Sequence, residues 1–450
     1  DALAKFTCND ARNREILCQE LNAGVEIIEA MRNHRGDVFL QQNACRALSN
    51  FASGNTRNRE ILCQELSAGV GILEAMRNHR ADAILQQSAC IALSNLTYNN
   101  PRNCDILCQE LDAGVGVLEA MRNHRENVIL QQHTCILLSS ITDHSTRNRE
   151  ILCQRFDSGS CIVEAMRNHR GDATIQQKAC VALSNFALDN ICNRMILCQE
   201  LDAGAYIVEA MRRHPKDAIL QQEACGALWS LTCNNARNRE ILCQELNAGA
   251  DVVKAMRNHR EDVMLQQNAC GALLSFACND ARNQETLCQE LNACADILDA
   301  MRNHHADAIL QQNACRALWI IASDNTRNRE ILCQQLNAGI YIVEAMRTHR
   351  GDVLLQQNAC RALWIFICNN PRNREILCQE LNAGFYVIEA MHIHTADAKL
   401  EQEACAVLSN LSSDNARNRV ILCQELDAGA YIVEAMRRHP KDAILQQEAC

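Results

Sequence analysis

From Leu40 to Gly69 the chain reads LQQNACRALSNFASGNTRNREILCQELSAG, and from Leu85 to Gly114 it reads LQQSACIALSNLTYNNPRNCDILCQELDAG. The second stretch follows the first by 45 residues, with nothing inserted or deleted. The Arg-Asn pair fixes the phase. Arg12, Arg57, Arg102 and Arg147 stand in register, as do Arg237, Arg282, Arg327, Arg372 and Arg417, and Cys192 takes the remaining place. Ten periods of 45 account for all 450 residues, so the whole chain reads as array. A period of this size marks a stacked repeat architecture, in which one unit cannot bury its apolar face alone.

Within one period the apolar residues recur at helical spacing. RNREILCQELNAG sets Ile16, Leu17 and Leu21 on one stripe, and Gly24 reads as a left-handed stop. VEIIEAMRNHR repeats the stripe with Ile27, Ile28 and Met31, and Arg32, His34 and Arg35 fall in its last turn. Asp37 reads as an N-cap, and Asp or Asn holds that place in every repeat. The longest segment, VFLQQNACRALSNFA, carries Leu40, Ala44, Ala47, Leu48 and Phe51 on one face. Each repeat is therefore expected to form three helices, two short and one long.

LQQNACRALSNFAS resembles the third helix of an armadillo repeat, with its Leu-Gln start and Ala-Leu-Ser-Asn centre. The Asn13-type residue and the Ala-Gly before the second helix are similar to that family too. The resemblance implies an all-α fold: a right-handed α-solenoid of ten three-helix armadillo-like repeats, with a HEAT-type solenoid as the neighbouring alternative. Armadillo units usually run near 42 residues. The surplus here lies in LCQEL, which lengthens the first helix and leaves the superhelical pitch open. Residues 1–450 are expected to form one continuous array. Asp1 occupies the Arg46 slot and Cys450 the Cys45 slot, so both ends cut a third helix and a fragment of a longer array is expected. Ile196–Cys225 and Ile421–Cys450 are identical, which points to recent duplication of repeats.

Composition narrows the function. The net charge of −10 argues against nonspecific nucleic-acid binding. No apolar run approaches the roughly 18 residues of a membrane span. Twenty of the 28 cysteines fall in two series, Cys45-type and Cys18-type, which read as buried structural thiols of a reducing compartment, the cytoplasm or the nucleus. No CxxC or paired Cys-His spacing points to zinc. Cys8, Cys233, Cys278 and Cys368 share one loop-proximal slot. His34 recurs in every repeat, which suits a polar helix end and not a catalytic base. No phosphate loop, GxSxG elbow or HExxH is present. No catalytic residue, cofactor or metal is expected.

Variation between repeats concentrates at three slots of the long helix, which spacings of three and four place on one face. Slot 46 holds Arg46, Arg316 and Arg361 among smaller residues. Slot 49 holds Trp229, Trp319 and Trp364, where most other repeats have serine. Slot 50 holds Asn50, Asn95, Asn185 and Asn410, but Ile320 and Ile365 in two adjacent repeats. The armadillo resemblance implies that this face lines a concave groove and that the asparagines clamp the backbone of an extended peptide. Their other reading is hydrogen bonding within the stack. The tryptophan that nuclear-import adaptors carry at slot 46 is missing. The expected function is a scaffold or adaptor that binds protein segments. The triplets Arg316-Trp319-Ile320 and Arg361-Trp364-Ile365 suggest an acidic segment with an apolar anchor. The alternative is the regulatory arm of a larger enzyme, such as a multidomain kinase.

Overall fold

The computed structural model describes residues 2–8 and 10–450. Asp1, which the register places at the Arg46 slot, lies outside the described residues, as does Asn9. Among the described residues there is no strand. The chain divides into two compact bodies, Asp1–Asn238 and Arg239–Cys450.

In the first body a representative repeat has a first helix, Thr56–Glu60, that runs on into Ile61–Glu65. A second helix, Ala68–Asn78, and a third, Ala83–Thr97, follow. The third helices pack in sequence order: Val38–Ala52, Ala83–Thr97, Val128–Thr142, Ala173–Ala187 and Ala218–Thr232. The second body has the same plan, and its third helices Val263–Ala277, Ala308–Ala322, Val353–Ile367, Ala398–Ser412 and Ala443–Ala449 stack likewise. Each body is an α-solenoid stack. Its core is the sum of the stripes: Leu48, Phe51, Leu85, Leu93 and Leu96 are fully buried. Each such side chain contributes about 1.5–3 kcal/mol by leaving water.

Polar residues explain why the sequence is so constant between these apolar positions. Asp82 caps the third helix by accepting from the Leu85 N–H at 2.7 Å. Gln86 is buried and donates Nε2 to the carbonyls of Met76 (2.8 Å) and His79 (3.0 Å) at the end of the second helix. Its neighbour Gln42, one repeat earlier, bonds the Asp82 carboxylate at 2.9 Å and so ties a cap to the preceding repeat. Asn58 is fully buried and satisfied. It donates to the carbonyls of Arg14 (3.2 Å) and Phe51 (2.9 Å) and accepts from Gln19 of the preceding repeat at 2.8 Å. His79 ends the second helix, as its position suggests, and also reaches across the seam: Nε2 lies 2.8 Å from the Arg35 carbonyl. A carbonyl only accepts, so Nε2 carries the hydrogen.

Two local expectations need correction. Gly24 is not the left-handed stop. It lies in the second helix, and Asn22 before it takes φ 48°. Asn and Asp tolerate that region through local hydrogen bonding, and they fill this slot in all repeats but one, which has Ser67. The glycine serves close approach instead. A Cβ on Gly69 would stand 2.7 Å from Leu107 Cδ2 of the next repeat. The LCQEL surplus is not an added α turn either. Ile61–Glu65 winds as a π-helix, with Leu66 N–H bonding the Ile61 carbonyl at 2.9 Å, five residues back.

Candidate functional site

The variable slots lie on the exposed side of the third helices, next to the seams. Arg46 and Arg316 are exposed, and Trp229, Trp319, Trp364, Ile320, Ile365 and Arg361 are half-buried. The structure therefore leaves these side chains partly open to a partner. It also shows which are already engaged.

The asparagines of the first body are hydrogen-bonded within the stack. Asn50 Nδ2 donates to the Ala4 carbonyl at 2.8 Å. Asn95 Nδ2 donates to Ser49, to Oγ at 2.8 Å and to the carbonyl at 3.2 Å. Asn185 holds Ser139 in the same way, at 3.0 and 3.1 Å. In the second body Asn410 turns back to the Ala406 carbonyl of its own helix at 3.0 Å.

The two adjacent triplets of the second body are not equivalent. The Arg361 guanidinium lies over the Trp319 ring, 5.1 Å from its centroid. The same guanidinium binds Glu403 Oε1 at 2.8 Å. Three successive third helices are thereby joined through Trp319, Arg361 and Glu403. Burial pushes the Glu403 carboxyl up, and Arg361 is the strongest of the charges that oppose the rise. Arg316 differs because the next repeat presents Asn358, not a glutamate, at the position of Glu403. Among the described residues Arg316 makes no hydrogen bond or ion pair. The two arginines are thus not a matched fork: one is open and the other already holds a carboxylate. Trp319 Nε1 is buried and, among the described residues, has no hydrogen-bond partner. Trp229, at the same slot of the first body, is half-exposed.

Arg46 and Asn50 border a cavity of about 560 Å³ that Lys5, Ser49, Ile84 and Ile91 also line. Of these, Arg46 and Ile91, Ser49, and Lys5 and Asn50 stand at the variable slots 46, 49 and 50, and Ile84 does not. Glu403 and Ile84 sit at slots 43 and 39, earlier on the same helix face. Lys178, Glu223, Glu403 and Glu448 break an otherwise uncharged slot 43, which marks Glu403 as unusual without tying it to Arg361. Among the described residues no three His, Cys, Asp or Glu side chains group as a metal site. No helix among them is long and apolar enough to cross a membrane.

A family model described as LRRK2 ARM repeat matches residues 11–375. Comparison with curated proteins finds no match. Among solved structures, the chain is similar to one from a study of a phosphorylation switch that controls the interaction between cadherin and beta-catenin. The TM-score is 0.76 at 16% sequence identity, over 100% of this chain and 88% of that one.

Proposed function

The chain belongs to the LRRK2 ARM repeat family, and from that fold and the side chains on its groove face we propose a non-catalytic scaffold or adaptor that binds extended protein segments. The armadillo fold is typically a protein-interaction scaffold. The observation that carries the reading is the pair of half-exposed tryptophans, Trp319 and Trp364, beside an exposed Arg316 without a partner. Trp and Arg are the residue types most enriched where binding energy concentrates. The partner segment is acidic with an apolar anchor: Arg316 forks onto its carboxylate, and Ile320 and Ile365 form the apolar floor. No cofactor takes part, and the setting is the cytoplasm. The acidic surface disfavours nucleic acid.

A second reading makes the array the regulatory arm of a larger enzyme. It draws support from the family, which is named after the repeat region of one protein. Peptide arrays of acidic segments test the first reading. The double variant Trp319→Ser with Trp364→Ser is expected to lose binding by at least about tenfold with an unchanged far-UV spectrum. Unchanged binding with lower thermal stability would reduce the tryptophans to seam packing.

A further inference from the structure

We infer that the groove of the first body, across helices Val38–Ala52, Ala83–Thr97 and Val128–Thr142, takes an amphipathic α-helix with an acidic flank. The inference rests on protein-segment binding at this face and names the form and charge of the segment there.

The first observation is a rail of apolar side chains. Slot 39 is the second residue of the third helix, and it is occupied by Phe39, Ile84 and Ile129 in consecutive repeats. They are 72%, 61% and 47% exposed, so the stack does not use them. The three helices pack side by side, which sets the three side chains in a row. Apolar residues that line up in contiguous exposed patches mark interaction surfaces, whereas scattered ones do not. Thr174 breaks the row in the following repeat, and the slot is apolar and exposed again at Ile219 and, in the second body, at Met264, Ile309 and Leu354.

The second observation is charge. Ile84 shares the cavity of about 560 Å³ with Arg46, and among the described residues no carboxylate lines it. Among the described residues Arg46 makes no hydrogen bond or ion pair. The cause is local. Arg361 finds Glu403 at slot 43 of the next repeat, and Arg46 finds Ser88 there. An arginine without a counter-ion beside an apolar rail complements a segment with acidic and apolar sides.

The third observation selects the backbone form. An extended chain arrives with unpaired carbonyls that need donors and unpaired amides that need acceptors. Here the Asn50, Asn95 and Asn185 amides are donated to Ala4, Ser49 and Ser139. A helix brings its hydrogen bonds already made. Spacing agrees. Packed helices lie about 8–10 Å apart, and seven helical residues rise about 10 Å at about 1.5 Å each and return to the same face. The same distance is between two and three extended residues at about 3.3 Å, so a strand alternates faces and falls out of phase with the rail.

Three fluorescent synthetic peptides of about 18 residues, or about 27 Å as helix, test this against the full chain. The first carries leucine every seventh residue with glutamate on one flank. The second has the same composition with the leucines at every second position. The third replaces glutamate by lysine. The first is expected to bind and to become helical by difference circular dichroism, with the other two weaker by at least about tenfold. Ile84→Ser and Arg46→Glu, both at exposed positions, are each expected to weaken the first peptide by at least about tenfold. If the second peptide binds as well as the first, the helical form is wrong while segment binding stands. If no peptide binds, or neither variant weakens the first, the site is wrong. The proposed function is then judged separately by the tryptophan variants on the acidic arrays.

Discussion

Glu401 shows how much one residue decides in a repetitive stack. Nine repeats place glutamine at its slot, and each glutamine bridges two backbone carbonyls, as Gln86 does. A glutamate cannot donate to them. Glu401 is fully buried, and it instead pairs with Arg438 and lies 3.2 Å from His439 Nε2. Burial is the largest influence and raises its carboxyl above the ordinary range; Arg438 and His439 oppose it less strongly. The sign follows. A carboxyl raised in the folded state disfavours folding above its folded value, and that penalty disappears below the ordinary value of about 4.3. Glu401→Gln is therefore expected to stabilise helices Ala398–Ser412 and Ala428–Arg438 by about 1–2 kcal/mol at neutral pH. The gain should shrink as pH falls toward 4.5 and below. Hydrogen exchange over those helices measures it, and faster exchange in the variant would contradict it. The glutamine pattern was plain in the sequence. What it does was not, because its acceptors are backbone carbonyls and no side chain covaries with it.

At the scale of the helix, the glycine before the second helix is set by its neighbour in the next repeat. A Cβ on Gly114 would lie 2.7 Å from Leu152 Cδ2 and 2.8 Å from Phe156 Cδ2, and Leu152 is already fully buried. Gly36 has nothing within 4 Å of its Cβ position. Alanine improves helix propensity by about 0.8–1 kcal/mol, but overpacking costs about 1–3 kcal/mol. Gly114→Ala is expected to destabilise by about 1–2 kcal/mol net, and Gly36→Ala to change stability by less than about 0.5 kcal/mol. Paired urea titrations compare them, and equal effects would mean that the seam yields freely. The helices themselves were legible. Caps such as Asp37 and the stripes of Leu40, Ala44 and Leu48 placed them correctly. The stop was misassigned because an Asn-Ala-Gly run offers two left-handed candidates, and only the seam tells which residue lacks room for a side chain. The π turn was hidden for a related reason. The surplus residues could be counted in LCQEL, but an extra residue looks the same in sequence whether it lengthens a helix or widens it.

At the scale of each whole body, the period made the fold legible and blurred the site. Slot-by-slot variation found Arg316, Trp319 and Arg361, but contacts in a stack join unlike slots of adjacent repeats. Arg361 meets Glu403, and Asn95 meets Ser49. Reading one column at a time cannot reveal such pairs. The same stacking seals the thiols. Cys45, Cys90, Cys135 and Cys270 are fully buried in their bodies, and burial pushes each thiol up to about 12. Cys8 and Cys192 are exposed. Only the thiolate is nucleophilic, and four pH units below its pKa about one thiol in ten thousand is ionised. Alkylation of the buried series at pH 8 thus requires both opening of a seam and exposure to water. Stability in such arrays is a sum of repeat and neighbour terms, so opening proceeds locally. Timed iodoacetamide labelling read by mass spectrometry is expected to mark Cys8 and Cys192 before the buried four. The buried four should follow only as urea loosens their own seams, each at its own concentration. Labelling of Cys45 and Cys90 in native buffer as fast as Cys192 would show that the third helices are not packed against one another as described. Finding the four joined in disulfides before any reductant is added would overturn the reducing setting assigned to the chain.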